Sequence, residues 1–296
     1  MQHKTVLLHE AVDGLRLSPS DTVLDATFGS GGHGREIALA LDETGCYIGV
    51  DADASALDKK KLEDVSPQIH LVNDNFGNTI NILSSLHIEK VDAILADLGW
   101  RMEQFADGNK GFSFMHDGPL YMTFGDAKDY SFTAADIINS WDEKVLADIF
   151  FGYAQERFAR RIAKAIVVAR KREKILTTFQ LAEIVRSAYP KPALRNKSIN
   201  PSTKVFQALR IAVNDELNIL EKFIKDGFSV LKPGGRFAII TFHSIEDRIV
   251  KHSFRELVDA QLGELVVKKP IVPNEEELRQ NPRSRSAKLR IITKIY

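Results

Sequence analysis

The sequence has few of the features that mark secreted or membrane proteins. Its 296 residues include one cysteine, Cys46, so no disulfide can form within the chain. This use of cysteine is typical of the reducing cytoplasm, and we predict a cytoplasmic protein. No apolar run approaches the roughly 20 residues that span a bilayer, and the N-terminus carries acids and one short apolar run. We therefore expect neither a membrane partner nor a secretory signal.

A net charge is also lacking, because 40 acidic residues balance 40 basic ones. The basic residues are nevertheless clustered. Residues 156–174 contain eight of them against two acids, and residues 279–290 contain five and no acid. Solvated helix faces would account for either cluster alone, whereas two clusters on a neutral chain favour an anionic partner.

Short apolar strands alternate with helical patterns through the first hundred residues. This alternation predicts an α/β fold with a parallel, doubly wound sheet. The pattern stops between about 105 and 205, where a loop and several helices are predicted, and then it resumes. The predicted strands lie at 22–28, 46–51, 69–74, 91–99, 236–242 and 287–296, and the predicted helices of the sheet domain at 33–43, 54–64, 204–231 and 244–262.

The most informative short motif is "VLDATFGSGGHG", residues 23–34. A predicted strand ends at Phe28, the residues Gly-Ser-Gly-Gly follow, and a helix begins near His33. Glycines let the backbone approach a ligand closely, and a helix N-terminus offers free N–H groups. Asp51 ends the next strand, where an acid accepts hydrogen bonds from the ribose hydroxyls of a nucleotide-like cofactor. The motif predicts a cofactor site, with a tight structural turn as the alternative.

Two cofactors, a dinucleotide and S-adenosylmethionine, suit such a loop. The spacing differs from the dinucleotide pattern G-x-G-x-x-G, and the Walker pattern is missing, so we expect no nucleotide hydrolysis. Asp25 precedes the loop on its own strand. An acid at this place suits a methyltransferase, in which it can contact the region of the amino-acid part of the cofactor. A dehydrogenase is the weaker alternative.

Seven longer segments resemble a single family, and they occur in its order along the chain. They are "HKTVLLHEAVDGL", "DATFGSGGHG", "GFSFMHDGPL", "YAQERFARRIAKAIV", "FQALRIAVNDEL", "FHSIEDRIVK" and "NPRSRSAKLR". Together they are similar to the bacterial small-subunit ribosomal RNA cytosine-N4 methyltransferases (RsmH, formerly MraW), and the resemblance covers essentially the whole chain.

The resemblance implies a fold, a reaction and partners. The fold is a Rossmann-like, S-adenosylmethionine-dependent methyltransferase sheet at 1–104 and 205–296, with a mostly helical substrate-recognition insertion at 105–204. The reaction is methylation of the exocyclic N4 amine of a decoding-centre cytosine. The partner is 16S ribosomal RNA or the small ribosomal subunit, and a homodimer is left open.

The resemblance also implies positions for the cofactor contacts. They comprise the glycine loop, the ribose-binding acid, an aromatic residue beside the adenine, the acid that ends the fourth strand and a glutamine beyond it. The residues at these positions are Gly31, Gly32, His33, Asp51, Phe76, Asp97 and Gln104. Only the loop and Asp51 are also indicated by the residue pattern itself.

Residues that follow the fourth and fifth strands are candidates for contact with the target base. The Asp97 carboxylate or a backbone carbonyl at the end of the fourth strand could bind the amine hydrogens. Trp100, three residues later, is hypothesised to stack on the base or the cofactor, because flipped bases commonly stack on aromatic side chains. The alternative is that Trp100 packs under the insertion. His243 and Ser244 are candidate neighbours of the base. A capped turn in which Ser244 begins the helix is the structural alternative, and it is compatible with that role.

The chemistry of amine methylation needs no covalent nucleophile, whereas methylation at cytosine C5 needs a cysteine. Cys46 begins a strand of buried character, so the sequence argues against C5 chemistry. No cluster of metal ligands is evident, and no metal is expected.

Departures from the family pattern gather around the expected active site. Where the family usually has Val-Ser-Ser, this chain has Trp-Arg-Met. At five other positions this chain has different residues where the family usually has two acids, two arginines and a histidine. The departing positions are Trp100, Arg101, Met102, Tyr121, Thr123, Gly125, Asn200 and Lys204. They leave two alternatives open, a methyltransferase for another nucleic-acid amine and an RNA-binding assembly factor without catalysis.

Overall fold

The computed structural model describes residues 4–99, 108–194 and 200–296. The chain divides into two compact units. Unit 1 is Met1–Gly99 with Leu217–Tyr296, and unit 2 is Trp100–Glu216. Of the helices in the described ranges, none combines the length and the apolar character needed to cross a membrane.

Unit 1 is built on one seven-stranded sheet. Its strands are β1 Thr22–Asp25, β2 Cys46–Asp51, β3 Gln68–Asn73, β4 Val91–Asp97, β5 Leu231–Thr241, β6 Gly263–Leu265 and β7 Lys288–Lys294. They lie in the order β3-β2-β1-β4-β5-β7-β6. Strands β1 to β5 pair in parallel, as the alternation of strands and helices predicts. The α/β class is thereby confirmed.

The last two strands depart from the predicted parallel sheet. Strand β7 pairs antiparallel with both β5 and β6. The chain between β6 and β7 stays near one sheet edge, where Ile271 forms a bridge with Leu289. A connection that does not cross a sheet face returns the chain in the opposite direction. The sequence also failed to predict the three-residue β6.

Helices cover both faces of this sheet. In chain order the α-helices of both units are α1 Leu8–Leu15, α2 Gly32–Leu39, α3 Thr79–Ser85, α4 Ala134–Ser140, α5 Glu143–Ala154, α6 Ala159–Arg170, α7 Thr178–Ala188, α8 Lys191–Leu194, α9 Ser202–Asn214, α10 Glu216–Val230, α11 Ser244–Asp259 and α12 Glu275–Gln280. On one face α1 and α2 bury apolar side chains, and on the other α3, α10 and α11 do so. The parallel strands are therefore covered on both sides and contain apolar runs.

Unit 2 contains helices α4 to α9 around an apolar core of its own. The sequence placed its end at 204/205, whereas the structure places it after Glu216. The reason is that Val205 and Leu209 of α9 are fully buried in this second core. Helical periodicity shows which face of a helix is apolar, but it does not show which core that face joins.

Two predicted helices are broken in the structure. Residues 54–64 form two short 3₁₀ turns, because Asp53 and Asp58 accept hydrogen bonds from backbone N–H groups two residues on and so end regular helix. The long helix predicted at 204–231 is divided at Asp215, which has a left-handed φ of 49°. The adjacent Glu216 forms a bidentate pair with Arg210 at 2.7 Å.

Phe237 on β5 is fully buried, and its ring lies 5.2 Å from that of Phe223 and 5.9 Å from that of Phe254. We expect Phe237→Ala to lower the free energy of unfolding by about 3–5 kcal/mol, because it leaves a cavity among these rings. Urea denaturation measures the change. The control Leu39→Ala removes a side chain that is 51% exposed, and about 1 kcal/mol or less is expected. Equal losses in both variants would contradict this packing.

Candidate active site

Three neighbouring strands of unit 1 end in aspartates. Asp25 ends β1, Asp51 ends β2 and Asp97 ends β4, and β1 pairs with both of the other strands. Since the carboxyl ends of parallel strands meet at one sheet edge, the three carboxyl groups share the place where α/β folds bind ligands. The structure thus places Asp51 and Asp97 at the same sheet edge, and their contact with a cofactor stays a prediction.

The glycine loop is held to this edge by Asp51. The N–H of Gly29 donates to Asp51 Oδ2 and the N–H of Asp53 donates to Oδ1, both at 2.8 Å. Gly29 and Gly31 have φ values of 54° and 80°, in the left-handed region that glycine adopts without strain. Gly31 is the residue before α2, whose first residue is Gly32. The loop therefore presents the N-terminus of α2 at the edge.

Asp25 faces the interior, and its role differs from the one expected. It is 1% exposed, and its carboxyl group accepts hydrogen bonds from the Tyr47 hydroxyl at 2.6 Å and the Thr27 N–H at 3.2 Å. Burial raises the pKa of Asp25 to about 6, although these two hydrogen bonds oppose the shift. Asp25 therefore supports the loop from beneath, which the sequence pattern could not distinguish from contact with a cofactor.

Asp97 carries the least satisfied carboxyl group of the edge. Its backbone N–H donates to Thr27 Oγ1 at 2.6 Å. Its side chain is 24% exposed, yet Oδ1 itself is buried and has no hydrogen-bond partner within the described ranges. Burial, followed by the charges of Asp25 and Glu246, raises the pKa of Asp97 well above its usual range. A buried acceptor left in this state indicates a position for a ligand group.

His33 connects Asp97 to the N-terminal segment. Its ring is 6% exposed, with Nε2 3.1 Å from the carbonyl oxygen of Val6 and Nδ1 3.6 Å from Asp97 Oδ2. A carbonyl oxygen only accepts, so Nε2 carries a proton and donates to Val6. Nδ1 is then the ring atom directed toward Asp97.

Lys61 is a residue of the site that sequence reasoning missed. Its ammonium group donates to the carbonyl oxygens of Gly29 at 3.2 Å and Ala56 at 2.9 Å, and it lies 5.3 Å from the Phe28 ring centroid. It therefore holds the outer side of the glycine loop. The sequence did not indicate this role for Lys61, because "DKKKLED" has the composition of an exposed helix.

Thr27 and Tyr47 were also missed. Each fixes an aspartate of the edge through one hydroxyl group, Thr27 by accepting from Asp97 N–H and Tyr47 by donating to Asp25. Thr27 stands inside the glycine motif, and its neighbours gave it no separate signal. Tyr47 lies within a strand and is fully buried, where an aromatic residue is expected for packing alone.

Phe76, predicted beside the adenine, follows β3 in a 3₁₀ turn. Its ring is partly buried, and its centroid lies 4.9 Å from that of Phe223. The turn is close to the Asp51 strand end, since the N–H of Asp74 donates to the Asp51 carbonyl oxygen at 3.2 Å. Contact with the adenine remains a prediction.

His243 and Ser244 lie where β5 gives way to α11. His243 is the N-cap of this helix, and its Nδ1 accepts the Glu246 N–H at 3.3 Å. Its Nε2 lies 3.1 Å from Glu246 Oε1 without hydrogen-bond geometry. Ser244 is exposed and begins the helix, so the capped-turn alternative is confirmed. Trp100 and Gln104 lie outside the described residues, and their predicted roles stay predictions.

The sheet, the glycine loop and the strand-end acids define a Rossmann-like α/β fold, a class that binds nucleotide-like cofactors at the carboxyl edge of the sheet. Residues 1–295 match the MraW methylase family, and the chain belongs to that family. This confirms the resemblance found in the sequence. As a methylase with this fold, the protein uses S-adenosylmethionine as its methyl donor.

Three curated relatives share the full length of the chain, and each is named ribosomal RNA small subunit methyltransferase H. The protein of Halothermothrix orenii is 42% identical over 312 residues, which cover 100% of this chain and 99% of the relative. That of Acetivibrio thermocellus is 44% identical over 313 residues, and that of Clostridioides difficile is 39% identical over 310 residues. Each of these two alignments covers 99% of both chains.

The described residues fit S-adenosylmethionine. This molecule has hydroxyl and amine donors and a positive sulfonium, and the edge offers the carboxyl groups of Asp51 and Asp97. Ser30 Oγ in the loop is, like Asp97 Oδ1, buried and without a hydrogen-bond partner among the described residues. A Cβ added at Gly31 would lie 3.0 Å from Lys61 Cδ and 3.3 Å from Phe28 Cζ. The loop backbone at Gly31 is therefore packed closely against Lys61 and Phe28.

We expect Gly31→Ala to lower the affinity for S-adenosylmethionine about tenfold or more, because the new Cβ strains the left-handed backbone and displaces the loop. Calorimetric titration of the cofactor measures the effect. The matched control is Gly152→Ala in α5, where an added Cβ meets no atom within 4 Å. This control should keep the wild-type affinity. An unchanged affinity in Gly31→Ala would show that the loop does not support the cofactor.

Asp25 predicts a pH dependence of stability. Its pKa rises from 3.8 to about 6 on folding, so the folded protein keeps this proton to a higher pH than the unfolded chain. Stability should therefore decline as pH rises from about 4 to about 6, by about 3 kcal/mol from this group. Urea denaturation across that range should show a smaller decline in Asp25→Asn. Exposed Asp64→Asn is the control, and a wild-type profile in Asp25→Asn would contradict the assignment.

Proposed function

We propose that the protein transfers a methyl group from S-adenosylmethionine to the exocyclic N4 amine of a decoding-centre cytosine in 16S ribosomal RNA. Family membership establishes a methylase, and the names of the full-length relatives support small-subunit ribosomal RNA as the substrate. The observation that carries the choice of an amine is the buried, unbonded Oδ1 of Asp97 at the end of β4.

The proposal assigns the cofactor to the edge formed by β1, β2 and β4. Asp51 accepts hydrogen bonds from the ribose hydroxyls, since a carboxylate oxygen can accept a further bond beside that from the Gly29 or the Asp53 N–H. The backbone of the loop and the α2 N-terminus support the amino-acid part of the cofactor. Phe76 contacts the adenine. The residues assigned to this site are Gly31, Gly32, His33, Asp51, Phe76, Asp97 and Gln104.

Asp97 is assigned to the target amine. S-adenosylmethionine, when bound, supplies the electrophilic methyl group. The amine nitrogen forms the new bond to carbon as the carbon–sulfur bond breaks, and the nitrogen gives up a proton. Asp97 Oδ1 binds an amine hydrogen, and the ionised carboxyl group accepts the proton. Because the pKa of Asp97 is raised, its carboxylate is a stronger base than an exposed aspartate. His243, Ser244 and Trp100 are assigned as neighbours of the cytosine.

The position of the cysteine supports an amine in preference to cytosine C5. Cys46 is the first residue of β2 and so lies at the end of the strand opposite to Asp51. Burial raises the pKa of its thiol, which lowers the thiolate fraction. It is the one cysteine of the sequence, so the carboxyl edge has no thiol nucleophile.

Unit 2 is assigned to RNA recognition. Arg157, Arg160, Arg161 and Lys164 are exposed at or just before α6. Within the described ranges, none of them has a carboxylate at ion-pair distance. Unpaired cations repeated at helical spacing suit the phosphates of an RNA backbone, and such binding weakens as salt rises. RNA binding that is indifferent to salt would refute this assignment.

The proposed function is tested with labelled S-adenosylmethionine and small ribosomal subunits from cells that lack this class of enzyme. Mass spectrometry of the digested RNA identifies the methylated nucleoside, and N4-methylcytidine in the decoding centre is expected. Label on another nucleoside would support a different nucleic-acid amine as the target. Cofactor binding without any label would support an assembly factor that has lost catalysis.

We expect Asp97→Asn to lower kcat about 100-fold or more, because an amide cannot take up the amine proton. The wild-type rate should rise with pH through the raised pKa of Asp97, since the ionised form is the acceptor. Single-turnover methylation across pH measures both effects, and cofactor titration shows whether binding is kept. Asp64→Asn is the exposed control. If Asp97→Asn kept the wild-type rate and pH profile, Asp97 would not be the proton acceptor.

A further inference from the structure

A small basic concavity of about 40 Å³ lies in unit 1 between α11 and the edge of the sheet at β6 and β7. We call it the basic pocket. Two apolar side chains and four cationic ones line it, and no acidic side chain does. The lining residues are Lys251, Phe254, Arg255, Leu265, Lys268 and Arg290.

The cations of the basic pocket are short of partners. Within the described parts of the chain, Lys251, Arg255 and Lys268 have neither a hydrogen bond nor an ion pair, and all three are exposed. Arg290 Nε donates to Asp247 Oδ1 at 2.8 Å. Its two terminal nitrogens have no protein partner among the described residues.

The acid bonded to Arg290 does not neutralise this group. Asp247 binds Lys288 Nζ at 2.7 Å through Oδ2, in addition to Arg290 through Oδ1. Burial opposes its ionisation, but the bonds from Arg290 and Lys288 prevail and hold the pKa of Asp247 below its usual range. Asp247 is thus a fixed negative charge already shared by two cations. The pocket keeps a surplus of positive charge.

Folding alone does not require this surplus. Lys251 and Arg255 are four residues apart on α11, and like charges at that spacing destabilise a helix by a few tenths of a kcal/mol. Phe254 is fully buried and Leu265 partly so, and either would be covered equally well by uncharged side chains. The charge is therefore better explained by a ligand. A concavity with several unpaired N–H donors suits a phosphate group.

The basic pocket stands at a defined distance from the carboxyl edge. Helix α11 starts at that edge, where His243 caps it directly after β5. Lys251 and Arg255 follow the cap by eight and twelve residues. These separations correspond to about 12 Å and about 18 Å along the helix axis. A strand of RNA that leaves the edge along α11 would carry its phosphates past both residues.

We infer that the basic pocket binds a backbone phosphate of the substrate RNA, a few nucleotides away from the methylated base. The inference rests on the proposed function for the identity of the RNA. It adds a contact surface on unit 1 to the one assigned to unit 2. The pocket fixes the position of the strand and has no part in reading the base.

The test is the affinity for a synthetic RNA of the decoding-centre stem, measured by fluorescence anisotropy at several salt concentrations. We expect Lys251→Glu and Arg255→Glu each to weaken binding about tenfold at moderate salt. The slope of log Kd against log salt should fall by about 0.7 to 1 for each lost phosphate contact. Arg255→Gln removes the charge without reversing it. It should show the same reduced slope as Arg255→Glu, with a smaller loss of affinity.

The matched control is Lys225→Glu, which makes the same change of charge on an exposed helix position of the same unit. It should keep the wild-type affinity and slope. Titration with S-adenosylmethionine shows that every variant is folded. If the pocket variants match the wild type or the control, the inference is overturned. A wild-type protein that binds the RNA but yields no N4-methylcytidine would overturn the proposed function, and the binding comparison would still decide the inference.

A second arm separates a backbone phosphate from a free anion. RNAs carrying one uncharged methylphosphonate linkage are scanned over the nucleotides that flank the target. In the wild type we expect one or two linkages to weaken binding about tenfold. In Arg255→Glu the same linkages should have little further effect, because the contact is already lost. Equal effects of these linkages in both proteins would overturn the inference.

Discussion

The meeting of three aspartates at one edge of a parallel sheet is the constraint on which the site depends. Asp25, Asp51 and Asp97 end adjacent strands, and the pairing of β1 with β2 and β4 fixes these strand ends side by side. Burial first, and then the charges of neighbouring carboxylates, raise the pKa of Asp25 and of Asp97. A site that gathers negative charge in this way is matched to a cofactor that carries a positive sulfonium and a positive amine.

Each aspartate is restrained differently, and the differences separate their roles. Both oxygens of Asp51 accept backbone N–H groups, and the bond from Gly29 holds the loop. Asp25 lies beneath the loop and is bonded to Tyr47 and Thr27. Asp97 keeps a buried oxygen without a hydrogen bond among the described residues. Since an unsatisfied buried acceptor costs free energy, a ligand donor that bonds to this oxygen gains that free energy on binding.

The features of the fold and of the candidate site that have a local physical cause could be predicted from the sequence. Glycine is required by the left-handed φ of Gly31, and an acid at the end of β2 follows from the order of strand and loop, so both were visible in the sequence. Thr27 and Lys61 were not visible, because their partners belong to other parts of the chain. The helix predicted at 54–64 was wrong because side-chain caps at Asp53 and Asp58 outweigh helix propensity.

The sequence by itself determined the class of fold, the family and the positions of the loop and of the strand-end acids. These follow from patterns within single segments, where hydrophobic period and glycine placement act locally. Only the tertiary structure decided that Asp25 faces inward while Asp97 keeps an unbonded oxygen, that β7 runs antiparallel, and that α9 joins the core of unit 2. It also decided that cations from α11, β7 and the segment after β6 share one pocket. Burial and charge pairing depend on residues far apart in the chain, and no pattern within one segment records them.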